Sequence, residues 1–447
     1  MQGSAGSTQV PSGSERKQAR KESTIFNDPI YGLMELDSLL VAIINTPEFD
    51  RLRYIKQLGG NYYVYPGASH NRFEHCIGVS FLAGKLIEAL QQKTPHDVVQ
   101  ITDVDVLCVK VAGLCHDLGH GPYSHMFGKR FLEPLGNEVE HEELSCAILD
   151  KIYNAMKDIF EDRGLKEAQI AIIKELIIGK KTADPGQLDA ENKRFMYEIV
   201  ANKVCEIDVD KWDYFTRDCH ALGLKHGFDY QRLLHSARVM VYEGKTRIVY
   251  RDKVIGDIEE HFYTRTRLHK AAYQHRVSCC IEIMIGEAFR LAHSGGYKFK
   301  YWDPTKQGLQ SSTLLDAASL ENLPPYLELT DNIVRDIMRQ SHETASHPDL
   351  IKAREVLERV LRRKIYRYVG ETSEDEYKAW IENPCEDFVI DVAIFEDKMN
   401  TKNILVYSKT NPDTPFPLSK ILTRVKGQTE KRFRKYSKKE KEDAVQA

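Results

Sequence analysis

Cys115-His116-Asp117-Leu118-Gly119-His120-Gly121-Pro122-Tyr123-Ser124-His125 sets three imidazoles and a carboxylate into one short stretch, directly after an apolar run, Val104 to Leu114, that reads as a helix. Two glycines and a proline end that helix. A backbone that turns there can aim neighbouring side chains at a common point. Imidazole nitrogen with carboxylate oxygen suits a borderline divalent metal such as iron, zinc or manganese, and a set of four protein ligands leaves positions for water and substrate. Single histidines at such turns are commonly caps or hydrogen-bonding groups. Here His70, His75, His116, His120, His125 and His141 crowd into residues 70–141, where an even spread of the chain's 16 histidines would place about two or three.

Outward from this stretch, the apolar period is helical almost throughout from Arg72 to about Ile178, with turns at 119–122 and 134–136. Upstream, Leu39 to Ile44 and Phe49 to Leu58 show helical spacing, with Pro47 suited to the first turn of the second helix. Downstream, Arg238 to Tyr242 and Thr246 to Tyr250 flank Glu243-Gly244-Lys245 as a hairpin, and Asp257 to Ala292 reads as one or two long helices. Beyond Pro324, helices alternate with a strand-like run, Asp387 to Phe395, and a strand partner, Asn403 to Ser408. The expected fold is mainly α. A polar leader covers 1–24 and is expected to be disordered, a helical catalytic domain covers 25–322, and a smaller α+β lobe covers 323–447.

Of 447 residues, 42% are hydrophobic and 29% charged, a globular composition, and the net charge of −3 gives no overall basic excess for nucleic acid. No apolar run reaches the ~18 residues that span a bilayer, and the N-terminus has no secretory h-region. Nine cysteines without a CxxC pair argue for a reducing compartment, cytosol or nucleus, and against a thiolate zinc site. Lys420 to Asp443 holds ten Lys or Arg against four acids and looks helix-forming. It reads first as a solvated face or tail, and second as a weak single-stranded nucleic-acid contact. Neither a GxxxxGK[ST] loop nor a GxGxxG turn occurs.

Two further groups carry candidate chemistry. Asp208 to Asp218 holds four aspartates among apolar and aromatic residues, and on a helix Asp210, Lys211, Tyr214 and Asp218 share a stripe. A charged face with internal ion pairs is the plain alternative. Arg265, His269, Tyr273, Gln274 and His275 repeat the spacing, a set suited to gripping phosphates and a sugar.

Arg72-Phe73-Glu74-His75, then His116-Asp117, then Asp210 follow the order H…HD…D, which resembles the HD superfamily of metal-dependent phosphohydrolases, a helical fold. The likeness tightens through Asp28-Pro29-Ile30, Leu52 to Gly60, Pro66 to His75, His116 to Phe127, Ile207 to Asp218 and Ala272 to His275. These resemble the SAM-and-HD-domain deoxynucleoside triphosphate triphosphohydrolases of animals, from about Phe26 to Lys439. The SAM domain has no counterpart in these residues, and the family's C-terminal helical end extends past them.

The resemblance implies that His75, His116, Asp117 and Asp210 hold a divalent metal, iron or zinc with manganese as a third candidate, while magnesium accompanies the nucleotide. It implies that Arg72, Lys211 and Arg265 contact phosphates with His269 nearby. Gln57, Tyr214 and Asp218 would read the sugar 3′-hydroxyl, Leu58 and Tyr273 would exclude a 2′-hydroxyl, and Gln274 would hold the base loosely, so that all four deoxynucleotides are accepted. His125 is the candidate acid for the 5′-oxygen, and His120 and His141 would orient or deprotonate water.

The family also implies a homotetramer activated by GTP or deoxynucleotides bound between subunits, and a part in antiviral defence. Its first activator site maps onto Asn45, Asp50, Arg53, Arg363 and Arg367, and its second onto Val64, Tyr65, Arg232, Arg251, Lys253, His275, Arg276 and Lys409. This chain departs in places. Asn45 stands where relatives use aspartate for guanine, Thr24 and Asp50 stand where they have lysine and glutamine, and Asp257 replaces an amide. An Asn side chain offers one carbonyl and a donor where a carboxylate accepts two N–H groups, so guanine preference does not follow from this position. Gly128 stands where relatives carry an acid after His-Met-Phe, so a His–carboxylate pair with His120 cannot form as it does there. The rival readings are an HD phosphodiesterase or nuclease, and a nucleic-acid-binding or scaffolding protein with a vestigial HD site.

Overall fold

The structure, a computed structural model, describes residues 23–180, 188, 192–343, 347–423 and 429–439. At its centre lies helix α2 (Arg72–Lys93), after a short α1 (Ser38–Ile44). From Cys76 to Gly84 α2 carries no charge, and Cys76, Ile77, Val79, Leu82, Ala83, Leu86, Ile87 and Leu90 are buried around most of its circumference. A helix apolar on all sides belongs inside a core: α3 (Asp103–Cys115) and α6 (Val209–Leu222) pack against it, while α4 (His141–Ala155) and α5 (Glu167–Ile178) pack on α3.

Local chemistry sets these helix ends. Thr102 Oγ1 accepts the Asp105 N–H at 3.2 Å while Asp105 Oδ2 accepts the Thr102 N–H at 2.7 Å, which starts α3. Asp208 caps α6 by accepting the Lys211 N–H at 3.0 Å, and Gly223 ends it with φ of 67°. The expected long helical stretch after 255 is two helices, α7 (Ile255–Leu268) and α8 (Arg276–Ser294), joined by a wide π-type turn, His269–Tyr273. Later come α9 (Ile333–Glu343), α10 (Pro348–Leu361) and α11 (Glu374–Glu382).

The sheets are small. Strands β1 (Ser23–Asp28) and β2 (Gly32–Asp37) form an antiparallel hairpin; β3 (Arg238–Tyr242) and β4 (Lys245–Arg251) form another; β5 (Phe299–Asp303) and β6 (Gly308–Ser312) a third. The β3–β4 hairpin was expected, but its turn is the two residues Glu243 and Gly244, both at positive φ, with Tyr242 opposite Lys245. The other two hairpins were not expected, and Ser23 and Thr24, assigned to the leader, open β1.

Three expectations need correction. Phe49 to Leu58 is not a continuous helix: a helical turn, Pro47–Asp50, and a 3₁₀ turn, Arg51–Tyr54, are followed by extended backbone. The reason is competition for hydrogen bonds, because the Arg72 N–H donates to Ile55 O and the Gln57 N–H to His70 O, both at 3.0 Å. The strand after Asp387, β8 (Phe388–Phe395), does not pair with the 403–408 segment. There, β9 (Leu405–Tyr407) runs parallel to β4 and antiparallel to β10 (Phe416–Pro417). The partner of β8 is β11 (Glu430–Ser437), which also pairs with β7 (Arg367–Thr372), so the basic end is a central strand where a helix was expected. Its good helix formers carry no helical apolar period, whereas Phe433 and Tyr436 are buried, and tertiary pairing overrides propensity. Its cations are also matched by acids: Arg432 by Glu430, Lys435 by Glu376, Lys438 by Glu287 and Lys439 by Asp387. Residues 424–428 and 440–443 of that segment lie outside the described residues.

Candidate active site

The first turn of α2 carries Arg72 and His75, the end of α3 carries His116 and Asp117, and the first turn of α6 carries Asp210. The core brings these three helix ends together. Gly78 permits it: a Cβ there would collide with Asp213 Oδ1, so only glycine lets α6 lie this close to α2. His75 Nε2 lies 3.1 Å from Asp210 Oδ1 and 3.4 Å from Asp117 Oδ2; His116 Nε2 lies 3.5 Å and 3.4 Å from the same two atoms. Donors sharing one cation at ~2.0–2.2 Å stand about 3.0–3.5 Å apart.

The opposite ring nitrogens are already engaged. His75 Nδ1 meets Asp213 Oδ2 at 2.7 Å and His116 Nδ1 meets Gly113 O at 2.9 Å, which fixes each ring with Nε2 facing the meeting point. Both Nε2 atoms are buried without a hydrogen-bond partner. Buried polar atoms are normally satisfied, and a divalent cation is the partner this donor set fits.

Charge supports the fit. Burial alone would lower His75, but Asp210, Asp213 and Asp117 push it up to about 10, and Asp117 and Asp210 likewise raise His116 against burial. Burial would raise Asp117, yet Arg72, His116 and His120 hold it well below the usual carboxylate range. The negative charge at this point thus retains protons on imidazole, the place a cation takes. Arg72 is itself fixed: Nη1 donates to Asp117 Oδ2 at 2.5 Å, Nε to Ser124 Oγ at 2.9 Å and Nη2 to Gln57 O at 3.3 Å.

Beside these four side chains opens a cavity of about 410 Å³, and Asp210 lies in its wall. Gln57, Leu58, Arg72, His125, Tyr214, Asp218, His269, Tyr273 and Gln274 line it too, so most of the expected substrate residues converge there. Lys211 and Arg265 stand outside that lining, and the Lys211 ammonium is held by Asp208 at 2.7 Å and Glu206 at 3.3 Å. Asp218 accepts from Tyr273 Oη at 2.6 Å and pairs with His70 Nε2 at 2.7 Å. The Gln274 amide is fully engaged with the backbone of β8, donating to Ile394 O at 2.6 Å and accepting its N–H at 2.7 Å. Strand β8 thereby forms one wall through Asp391, Val392 and Ile394, and Arg130 Nη2 donates to Asp391 Oδ1 at 2.7 Å across the same opening.

An adjoining cavity of about 310 Å³ is lined by His120, His125, His141, Gly128 and Glu140, among others. Ring centroids are 4.1 Å apart for His120 and His141, 4.8 Å for His120 and His125, and 5.5 Å for His125 and His141. His120 Nε2 also faces Asp117 Oδ1 at 3.3 Å. Burial depresses all three, His125 to about 3, His141 to about 4 and His120 well below its ordinary value, so they are neutral at working pH. Burial and the Arg265 charge bring His269 to about 3 as well.

The activator residues lie elsewhere, and none lines the main cavity. Asn45 ends α1, and Asp50 pairs with Arg53 at 2.9 Å. Arg363 donates to Tyr63 O, beside Val64, and Arg367 opens β7. Tyr65 donates to Ala271 O at 2.6 Å and its ring lies 6.0 Å from that of His275. His275 and Arg276 border a basic cleft of about 340 Å³ with Lys270, Arg432 and Arg434. Arg232 pairs with Asp257 at 3.3 Å, Arg251 ends β4, Lys253 follows it, and Lys409 is exposed after β9.

Three residues at the site were missed by the sequence reading: Asp213, Ser124 and Asp331. Asp213 sits three positions after Asp210 on the same helix, a spacing that could have revealed it. Ser124 lies inside the quoted stretch, with its hydroxyl on Arg72. Asp331 has no local signal, because its partners are more than 200 residues away.

The family model described as HD domain matches residues 72–218. The chain is 42% identical over 435 residues to the Gallus gallus protein named deoxynucleoside triphosphate triphosphohydrolase SAMHD1, covering 89% of this chain and 68% of that one. To the Homo sapiens protein of the same name it is 42% identical over 433 residues, covering 89% and 67%. To the Dictyostelium discoideum homolog it is 34% identical over 414 residues, covering 91% and 72%.

Proposed function

This chain belongs to the SAMHD1 family of deoxynucleoside triphosphate triphosphohydrolases, and from that premise we propose that it hydrolyses deoxynucleoside triphosphates to deoxynucleoside and inorganic triphosphate. One observation carries the reading. Two buried, unpartnered imidazole nitrogens and two carboxylates meet beside a cavity lined by guanidinium, imidazole, phenol and carboxylate side chains.

His75, His116, Asp117 and Asp210 would hold the divalent ion, iron or zinc with manganese as a third candidate, and magnesium would travel with the nucleotide. Such an ion supplies charge neutralisation at the α-phosphoryl group and a more acidic water. The chain's own groups do the rest. Arg72, fixed by Asp117 and Ser124, presents its guanidinium to phosphate oxygens, with Lys211 and Arg265 adding positive field and the His269 imidazole nearby. Gln57, Tyr214 and Asp218 take the 3′-hydroxyl, and Leu58 with Tyr273 leaves no room for a 2′-hydroxyl. The leaving 5′-oxygen needs a proton, and His125 would give it: burial keeps its imidazole neutral, and a neighbouring polyanion raises its basicity. His120 and His141 orient the attacking water.

We also infer a homotetramer that binds GTP or deoxynucleotides between subunits, through Arg53, Arg363 and Arg367 at one site and Arg232, Arg251, Lys253, His275 and Arg276 at another. No helix among the described residues is long and apolar enough to cross a membrane.

Incubation with dGTP, dATP and a labelled oligonucleotide, followed by product chromatography, tests the activity. Deoxynucleoside and triphosphate are expected, with the oligonucleotide intact; shortened strands or monophosphates would favour the nuclease or phosphodiesterase reading. Native mass with and without GTP tests assembly, and a mass that stays monomeric with nucleotide would sink the tetramer.

A further inference from the structure

Two turns face the cavity from opposite sides of the chain's order. One holds Lys56, Gln57 and Leu58; the other holds Tyr123, Ser124 and His125. Neither belongs to a long helix or strand, so something else must hold them in place. Tyr123 and Ser124 both have φ of 59°, and Ser124 has ψ of −128°, a conformation L residues adopt only when their surroundings impose it.

The half-buried Asp331, just before α9, meets both turns with its carboxylate. Its Oδ2 accepts the Lys56 N–H at 2.9 Å and its Oδ1 accepts the Tyr123 N–H at 2.6 Å. Its own N–H donates to Tyr54 O at 3.1 Å, anchoring it to the first turn. A direct bond joins the two turns as well: Ser124 Oγ donates to Lys56 O at 2.7 Å while accepting from Arg72 Nε at 2.9 Å. One carboxylate therefore sets the separation between Gln57-Leu58, on the sugar side, and Ser124-His125, on the phosphate side. Both oxygens are committed, one to each turn, which suits a clamp.

We propose that Asp331 is a positioning residue for sugar selection: by holding the Lys56 and Tyr123 turns in register, it keeps Gln57 where it takes the 3′-hydroxyl and Leu58 where it rejects a 2′-hydroxyl. This rests on the deoxynucleotide activity proposed above. Asp331 touches none of the four metal ligands, so its loss should leave the metal in place.

The test measures kcat/KM for dATP and for ATP, with bound metal per folded chain, in the wild-type protein, Asp331→Ala and Asp331→Asn. The ratio of the two kcat/KM values does not depend on the fraction of active molecules, so a merely structural role would not move it. The dATP-to-ATP ratio is expected to fall at least fivefold in Asp331→Ala, with metal content unchanged. Asp331→Asn, which keeps one acceptor oxygen, should fall less. A ratio that moves by less than fivefold in Asp331→Ala overturns the clamp. Should that variant not fold, Ser124→Ala reads the same coupling from the other turn: the ratio must fall, and an unchanged ratio overturns the proposal equally. Failure of the wild-type protein to release triphosphate from dATP would instead overturn the activity, a separate outcome visible in the same assay.

Discussion

His75 and Asp213 face each other in the middle of the protein, Nδ1 to Oδ2 at 2.7 Å, with exposures of 1% and 0%. Asp213 also takes both ends of the Arg217 guanidinium, at 2.9 Å and 3.0 Å, and Arg217 reaches Asp28 at 2.9 Å. The His75 imidazole is thus tied through a carboxylate and an arginine to Asp28, the last residue of β1.

Asp213→Asn should weaken metal binding about 10–100-fold, the usual cost of removing a carboxylate behind a ligating histidine. It should also destabilise the fold, since Arg217 then keeps only Asp28 as a charged partner. Metal content after dialysis against a graded chelator checks the first, and thermal unfolding the second. Unchanged metal retention would refute the orienting role.

His116→Ala and Asp117→Ala should abolish triphosphate release while leaving the helical far-UV signal intact, because both side chains sit at a helix end and outside the apolar core. Release that persists in metal-free protein of either variant would refute the site.

Gly128→Asp should fold normally, since Gly128 has φ of −59° and nothing lies within 4 Å of an added Cβ. The new carboxylate would border the cavity of His120, His125 and His141 and raise their depressed values toward working pH. A severalfold rise in kcat is expected, with the acid limb of its pH profile displaced upward. A profile identical to wild type would show that the missing acid has no part in proton handling here.

Burial pushes the Glu282 carboxyl up to about 7, with Arg130 opposing, so the folded protein holds this proton where the unfolded chain loses it near 4.5. Its stabilising contribution is therefore complete below about pH 4.5 and is lost as pH rises through 7, by an amount on the order of 3 kcal/mol. Glu282→Gln keeps an acceptor for the Gly60 N–H, at 3.2 Å in the native protein, and removes that dependence. Its melting temperature should match or exceed wild type at pH 8 and lose the advantage at pH 5. Melting curves at the two pH values decide it, and an equal shift at both would refute the buried ionisation.

Much of the site was legible because metal ligation demands particular residue types at particular helix ends. His75, His116-Asp117 and Asp210 stand out in a chain whose helices are otherwise apolar inside, and glycines with proline mark where α3 must stop. The β11 strand was not legible, because lysine and arginine favour helices locally and only pairing with β7 and β8 makes them a strand. The early turn at Ile55 was hidden for the same reason, since its backbone bonds go to residues 70–72.

By itself, then, the sequence determined a helical metal-site protein: apolar periods build α2, α3 and α6, and the side chains at their ends carry the chemistry. Only the tertiary structure decided what surrounds that chemistry. Asp213, Asp331 and the β8 wall come from separate parts of the chain and act through hydrogen bonds that close over distance, and such bonds leave no periodic trace in the residues that make them.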